Sequence, residues 1–143
     1  MGARLQAGEA ALKRSRAARL PVEMVGITAE KLPLADAVFD TVVSTYTLCT
    51  IPDPVAALRE VRRVLRPGGR LLFSEHGRAP DENVRKWQSR IQPFWSPLAG
   101  GCKLDRDIPA ILKEAGFDPQ VQSMYIPGPR IVSYHYWGEA VAV

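Results

Sequence analysis

Polar side chains follow three predicted strands at the points where those strands end. Residues 28–30 come after the first strand, Ser44 and Thr45 close the second, and Glu75 and His76 follow the third. Ligands of open α/β sheets bind outside the carboxyl ends of the strands, so we expect these side chains to line one crevice. An imidazole titrates near neutral pH and can serve as a general base, which makes His76 the candidate catalytic residue.

The same residues also have structural interpretations, and the sequence leaves these alternatives open. His76 is either a base or substrate contact, or a hydrogen-bonded loop histidine. Glu75 either contacts the substrate or caps a helix. Cys49 lies near the crevice, but no histidine or lysine close in sequence can lower its thiol pKa, so we expect structural burial. His135 is predicted to lie in a turn near the last strand.

Aromatic side chains accumulate beyond the third strand. They either form the wall of an apolar acceptor pocket, with residues 81–98 as a lid that excludes water, or they pack in the core. The aromatic residues concerned are Trp87, Phe94, Trp95 and Tyr125.

A strand–helix–strand unit from residue 39 to residue 76 must position these groups. The apolar runs 41–43 and 71–73 are typical of strands that are buried on both faces of a parallel sheet. Between them we predict a helix over residues 54–65, capped by Asp53 and stopped by the Pro-Gly-Gly of residues 67–69. Parallel strands joined in this way indicate an α/β fold with a right-handed crossover.

The flanking segments predict the remaining elements. Helices are expected over residues 2–20 and 81–92, and a third helix begins at a cap formed by Asp105 or Asp107. A strand is expected over residues 22–27, and proline, glycine and aromatic residues predict an irregular segment over 93–101. The last two strands, 120–125 and 136–143, should form an antiparallel pair.

Length and composition exclude several classes. The 143 residues suit a single domain, and a net charge of +4 without interleaved aromatics does not favour a nucleic-acid partner. No apolar run is long enough for a membrane span, and the first residues lack the apolar stretch of a secretory leader. The two cysteines, Cys49 and Cys102, have neither a disulfide pattern nor metal-ligand spacing. We therefore expect a cytoplasmic protein without a metal.

Several motifs in combination resemble a known family. They read Ala29-Glu30-x-Leu32-Pro33, Phe39-Asp40-x-Val42-Val43-Ser44 and Leu58-x-Glu60-Val61-x-Arg63-Val64-Leu65-Arg66-Pro67-Gly68-Gly69. Together they resemble class I S-adenosylmethionine-dependent methyltransferases, and within them the ubiquinone/menaquinone-biosynthesis branch. A looser set is similar to the methyltransferase-like 7 type of small-thiol methyltransferases: Glu75-His76, Gly101-Cys102-x-Leu104 and His135-x-x-Gly138-x-Ala140-Val141.

The resemblance implies a Rossmann-like sheet in the order 3-2-1-4-5-7-6, with strand 7 antiparallel. Residues 22–27 would be strand 3, the central unit strands 4 and 5, and the last pair strands 6 and 7. The cofactor would be S-adenosylmethionine, and the acceptor a small molecule such as a thiol. The implied cofactor contacts are Thr28 and Ala29 beside the adenine, Glu30 (or else a loop carboxylate), and Ser44 and Thr45 near the methionine portion. The implied acceptor contacts are Tyr46, Trp87 and Trp95.

The sequence departs from the family in one respect. Neither the glycine-rich loop after strand 1 nor the acidic residue after strand 2 is present, and Gly68-Gly69 follows a helix instead of a strand. We therefore expect one partial domain over residues 1–143, with a truncated, mostly parallel sheet. Its open strand edges should either mediate self-association or let strands 3 and 4 pair directly. The alternative function is a non-catalytic binding module, while a reductase is disfavoured because no dinucleotide fingerprint is present.

Overall fold

The computed structural model describes residues 2–19, 21–23 and 28–143, and the side chains from Glu9 onward within these ranges. Of the strand predicted over residues 22–27, residues 24–27 lie outside the described part of the chain. No helix in the described part of the chain combines the length and apolar character that a membrane crossing requires. The elements are α1 (Gly2–Ala17), β1 (Phe39–Thr45), α2 (Pro54–Val64), β2 (Leu65–His76), α3 (Glu82–Leu98), α4 (Ile108–Glu114), β3 (Phe117–Tyr125) and β4 (Tyr134–Ala142).

The strands form one four-stranded sheet in the order β1-β2-β4-β3. β1 and β2 are parallel, whereas β4 is antiparallel to both β2 and β3. This order corresponds to 4-5-7-6 of the expected family sheet. The predicted α/β class and the antiparallel pair at the end of the chain are therefore confirmed.

Helix α2 covers one face of the sheet through an apolar stripe. Asp53 caps it by accepting a hydrogen bond from the backbone N–H of Ala56 at 2.9 Å. Leu58 on this helix is buried in a core that also contains Leu71 of β2, Leu112 of α4 and Phe117 of β3. Because α2 and α4 share this core, both helices cover the same face of the sheet.

The opposite face of the central strands is uncovered among the described residues, which corrects one prediction. Val43 of β1 is 66% exposed and its partner in register, Leu72 of β2, is 37% exposed. Both strands were expected to be buried on both faces. The second face is bare because the described helices that pack against the core, α2 and α4, lie on one side.

Proline-containing segments differ from the sequence prediction in two places. Residues 67–69 do not separate helix from strand: β2 already pairs with Phe39 at Leu65, and pairing resumes at Arg70, so residues 66–69 form a bulge. Helix α3 continues through Pro93 and Pro97 to Leu98, where an irregular segment was predicted. Both prolines lie on exposed positions, where the carbonyl groups that lose their N–H partners can be hydrated.

Candidate active site

Glu75 of β2 organises the loop that follows β1. Its carboxylate is fully buried and accepts hydrogen bonds from the Ser44 hydroxyl at 2.8 Å and from the backbone N–H groups of Thr47 at 3.0 Å and Leu48 at 3.1 Å. A buried carboxylate requires such donors, and here they fix the path of the chain from β1 towards Cys49. The structure thus gives Glu75 the role of a loop anchor instead of a helix cap.

Replacing the anchor should destabilise the fold. In Glu75→Gln the side-chain amide presents N–H groups to a site built entirely from donors, so at least one of them loses its acceptor. We expect a loss of about 1–3 kcal/mol in the free energy of unfolding, measured by urea denaturation. The control Glu82→Gln changes an exposed carboxylate that forms an ion pair with Lys86 four residues on, and should cost less than about 0.5 kcal/mol. Equal losses would show that Glu75 does not anchor the loop.

Two cysteines and a histidine meet beside this loop. His76 Nε2 lies 3.7 Å from Cys49 Sγ and 3.3 Å from Cys102 Sγ. Cys49 is 1% exposed and Cys102 is 4% exposed, while His76 is half-buried. We call these three residues the Cys–His–Cys cluster. The burial of Cys49 confirms the expectation from the sequence. No histidine or lysine lies close to Cys49 in the sequence, but the fold brings His76 Nε2 within 3.7 Å of its Sγ.

Backbone and amide hydrogen bonds hold the two cysteine-bearing segments together. The N–H of Lys103 donates to the Cys49 carbonyl oxygen at 2.8 Å. Gln92 of α3 donates its amide N–H to the Cys102 carbonyl at 3.1 Å and accepts from the N–H of Leu104 at 2.7 Å. The positions of the two thiols are therefore set by three separate elements, and the cluster is pre-organised.

The two thiols titrate as a pair. The hydrogen bond that Cys49 donates to Cys102, supported by His76, lowers the pKa of Cys102 to about 4, although burial acts in the opposite direction. The same hydrogen bond and burial raise the pKa of Cys49 well above its ordinary value. One proton is thus shared between the two sulfur atoms over a wide pH range.

This pairing predicts a pH dependence. Because the pKa of Cys102 is lower in the folded state, its thiolate stabilises the fold above the ordinary thiol pKa, and this stabilisation is lost as the pH falls towards about 4. The ultraviolet absorbance of thiolate should therefore persist in the folded chain at neutral pH and disappear in acid. In Cys102→Ser the acid step should be missing. A wild-type titration confined to the ordinary thiol range would contradict the pairing.

Tyr46 and His135 form a second contact near the cluster. The Tyr46 hydroxyl lies 2.8 Å from His135 Nε2, and the Tyr46 ring centroid lies 5.8 Å from that of His76. His135 Nδ1 lies 3.1 Å from the Ser133 carbonyl, so Nδ1 carries the hydrogen and Nε2 accepts from Tyr46. His135 is buried in β4; its prediction as a turn residue is wrong, because the strand begins at Tyr134.

The segment predicted to contact the adenine lies beside the amino-terminal end of α2. Glu30 accepts a hydrogen bond from the backbone N–H of Asp53 at 3.4 Å, as a loop carboxylate would. Thr28 is exposed, and Thr45 at the end of β1 is exposed as well. Since α2 begins at the end of the sheet where β1 finishes, the 28–30 segment and the Ser44–Thr45 pair lie at the same end of the fold.

The aromatic residues do not form one wall. Trp95 is partly buried and packs against a small apolar cluster formed by Cys49, Cys102 and Leu104. Trp87 is 53% exposed and is contacted by the Arg90 guanidinium, 5.5 Å from the ring centroid. Phe94 is exposed, and Tyr125 packs against Tyr134 on the β3–β4 pair. Of these four aromatic residues, only Trp95 packs beside the two cysteines.

Spacing concealed the Cys–His–Cys cluster in the sequence. Cys49 and Cys102 lie 27 and 26 residues from His76, so no local metal or redox pattern indicates them. The available signal was indirect: His76 and Cys102 belong to two of the segments that carry the looser family resemblance.

Comparisons with known proteins agree with this architecture. The family model described as a methyltransferase domain matches residues 3–73. Thiol S-methyltransferase TMT1B of Homo sapiens is 40% identical over 112 residues, which are 76% of this chain and 46% of that protein. The ubiquinone/menaquinone biosynthesis C-methyltransferase UbiE of Pseudomonas putida is 38% identical over 79 residues, 55% of this chain and 31% of that protein. The chain thus spans about half the length, or less, of these curated relatives.

A solved structure shows the same fold. A SAM-dependent methyltransferase from Thermotoga maritima superposes with a TM-score of 0.60 at 22% identity, and covers 82% of this chain and 62% of that one.

Proposed function

The chain belongs to the class I methyltransferases, and from this premise we propose that the protein transfers a methyl group from S-adenosylmethionine to the sulfur of a small thiol. The observation that carries the proposal is the 40% identity over 112 residues to a thiol S-methyltransferase. The crevice at the carboxyl ends of β1 and β2 supports it, because it brings polar and sulfur-containing side chains to one place.

The described residues fit part of the cofactor. The exposed hydroxyls of Thr28 and Thr45 are accessible to a ligand, and Ser44 is held in place by Glu75. In this proposal Thr28 and Ala29 hold the adenine, with Glu30 beside them, and Ser44 and Thr45 hold the methionine portion. When bound, S-adenosylmethionine supplies an electrophilic methyl group on a sulfonium.

Methyl transfer from this cofactor requires position and a deprotonated sulfur. The acceptor thiol would first have to lose its proton to solvent, because the thiolate is the nucleophile, and S-adenosylhomocysteine would be the leaving group. Holding reacting atoms about 3–3.5 Å apart supplies most of the acceleration. Within the described chain His76 is the imidazole of the Cys–His–Cys cluster, and Tyr46 lies beside it, so these two residues are the proposed contacts of the thiol.

The function is tested by product formation. The chain is incubated with millimolar S-adenosylmethionine and either 2-mercaptoethanol or ethylene glycol, and S-adenosylhomocysteine is quantified by mass spectrometry. We expect S-adenosylhomocysteine to accumulate with the thiol and to stay at background with the alcohol. Equal background with both acceptors, at a cofactor concentration that saturates the chain, would overturn the proposal.

Trp95 and Trp87 provide a matched pair for the acceptor wall. Trp95 packs beside the cluster, so Trp95→Ala should raise the KM for the thiol about tenfold or more and leave cofactor affinity unchanged. Trp87, also predicted as an acceptor contact, is exposed on α3, and Trp87→Ala should change neither quantity. Loss of both thiol use and cofactor affinity in Trp95→Ala, together with a collapsed melting transition, would assign Trp95 to the core instead.

The exposed side of β1 favours a second candidate function. In the described part of the chain β1 pairs only with β2, and Val43 is largely exposed. Such an edge can recruit another strand, as a non-catalytic binding module would. A rise in melting temperature on addition of S-adenosylmethionine distinguishes the enzyme from this module, which should show no shift at millimolar cofactor.

A further inference from the structure

We propose that Cys49, His76 and Cys102 bind a zinc ion, and that the open fourth position of this ion takes the acceptor thiol. The metal site follows from the described residues alone. The identity of the fourth ligand rests on the proposed function.

The distances within the Cys–His–Cys cluster are those of a tetrahedral zinc site. Zinc bonds of about 2.3 Å to sulfur and 2.0–2.1 Å to nitrogen place a sulfur and a nitrogen ligand about 3.5 Å apart. His76 Nε2 lies 3.3 Å from Cys102 Sγ and 3.7 Å from Cys49 Sγ, on either side of this value. All three ligand atoms lie within 4.8 Å of one another. Cys102 Sγ also lies 3.9 Å from His76 Nδ1, beside the ring and not on the line of the Nε2 lone pair, so the imidazole has to rotate to direct Nε2 at an ion between the two sulfur atoms.

The ligand set selects zinc and leaves one position open. Thiolate and imidazole ligands suit zinc, and hard cations such as magnesium prefer oxygen. Structural zinc sites are closed by four protein ligands, while catalytic sites have three and an open position. Among the residues that the structure describes, no other histidine, cysteine or carboxylate joins the group. The second histidine, His135, is occupied by Tyr46 and Ser133.

The surroundings supply the support that a metal site needs. Three sets of hydrogen bonds hold the cysteine-bearing segments in place without a metal ion. They are made by the Glu75 carboxylate, by the Lys103 N–H to the Cys49 carbonyl, and by the Gln92 side chain. Such outer contacts normally orient ligands and sustain affinity. The hydrogen bonds therefore hold the ligand-bearing segments close together before a metal binds.

A buried cation beside the cluster favours an anionic centre. Arg106 is 9% exposed and donates hydrogen bonds to the carbonyl oxygens of Leu48, the neighbour of Cys49, and Pro52. Within the described ranges no carboxylate forms an ion pair with it. Zinc with two thiolates and a neutral imidazole carries no net charge, and a third thiolate makes it negative. Arg106 is placed to compensate that charge, which would otherwise be costly to bury.

Binding of the acceptor to zinc accounts for its activation. A thiol that coordinates zinc loses its proton to the solvent, and its sulfur retains a lone pair with which to attack the methyl group. His76 then meets the acceptor thiol as a ligand of the same metal ion, and no general base is required. The half-buried ring of His76, next to the exposed Tyr46, marks the side from which a small thiol reaches the ion.

The test uses the whole 143-residue chain, stripped with a chelator and kept in a phosphine reductant. Cobalt(II) serves as the spectroscopic probe, and zinc affinity is measured by competition with a chromophoric chelator. We expect one cobalt per chain with a thiolate-to-metal charge-transfer band, and displacement of cobalt by zinc. Cys49→Ser, Cys102→Ser and His76→Gln should each weaken zinc binding by at least about 100-fold. His135→Gln is the matched histidine control and should bind zinc as the unaltered chain does.

Two further readouts complete the test. Zinc should raise the melting temperature of the unaltered chain, because it binds the folded cluster, and this gives an answer even if a variant fails to fold. Addition of 2-mercaptoethanol to the cobalt-loaded chain should change the charge-transfer band, and ethylene glycol should not.

Absence of stoichiometric metal, an unchanged melting temperature with zinc, or unchanged affinity in both cysteine variants overturns the zinc site. If 2-mercaptoethanol leaves the charge-transfer band unchanged, the acceptor thiol is not the fourth ligand. Metal binding by a chain that produces no S-adenosylhomocysteine supports the site and removes only the proposed function.

Discussion

Leu58→Ala should destabilise the chain by about 2–5 kcal/mol, as measured by urea denaturation. Leu58 is 1% exposed on α2 and packs in the core with Leu71, Leu112 and Phe117. Removing its side chain leaves a cavity between the helix and the sheet, because rigid strands and a second helix line the space and cannot close it. A domain with an uncovered sheet face has little stability in reserve, so this loss should populate the unfolded state.

The neighbouring residue provides the control. Arg59 follows Leu58 on the same helix but is exposed, and Arg59→Ala should cost less than about 0.5 kcal/mol. Similar losses for the two variants would mean that α2 does not present the Leu58 face to the sheet.

The second large effect concerns the cofactor. The chain should bind S-adenosylmethionine two to four orders of magnitude more weakly than a complete site, because the glycine-rich loop and the acidic residue of the family pattern are missing from the sequence. Each lost charge-assisted hydrogen bond is worth about 1.5–3 kcal/mol, and two of them account for this range. Thr28, Ala29, Ser44 and Thr45 hold what affinity remains. Isothermal titration at high protein concentration measures it.

Sedimentation of the same sample tests the consequence for assembly. Val43 and Leu72 are exposed on the bare face of the central strands, and β1 is an edge within the described sheet. Exposed edges and apolar faces favour association, so we expect a species heavier than the monomer. Micromolar cofactor binding by a strict monomer would contradict both expectations and show that the residues present build a complete site.

Local signals predicted the central unit well. Asp53 and Pro54 gave the start of α2, and the apolar spacing of Leu58 gave its buried face, because capping and amphipathic periodicity depend on neighbours a few residues apart. The last two strands were predicted from their alternating or apolar residues, and their antiparallel pairing from the connection over residues 126–135 that joins them. In each case the controlling interaction is local or is written in a repeated pattern.

Contacts between residues far apart in the chain could not be predicted from the sequence. Pro93 and Pro97 argued against the observed helix, whose exposed side tolerates them. The role of Glu75 depends on backbone N–H groups 27 and 28 residues away. The Cys–His–Cys cluster likewise joins separate segments through packing, and no spacing rule reveals such a meeting. The cofactor contacts assigned to residues 28–30 stay predictions.

We propose that the crevice at the carboxyl ends of β1 and β2 is where a methyl group passes from S-adenosylmethionine to sulfur. The most direct measurement uses S-adenosylmethionine with a deuterated methyl group, the 143-residue chain and 2-mercaptoethanol, with mass spectrometry of the small-molecule products. We expect a methyl thioether that carries all the deuterium of the donor methyl and forms only when the chain is present. Cofactor bound to the chain with no labelled thioether, or label found on oxygen of the same acceptor, would contradict it.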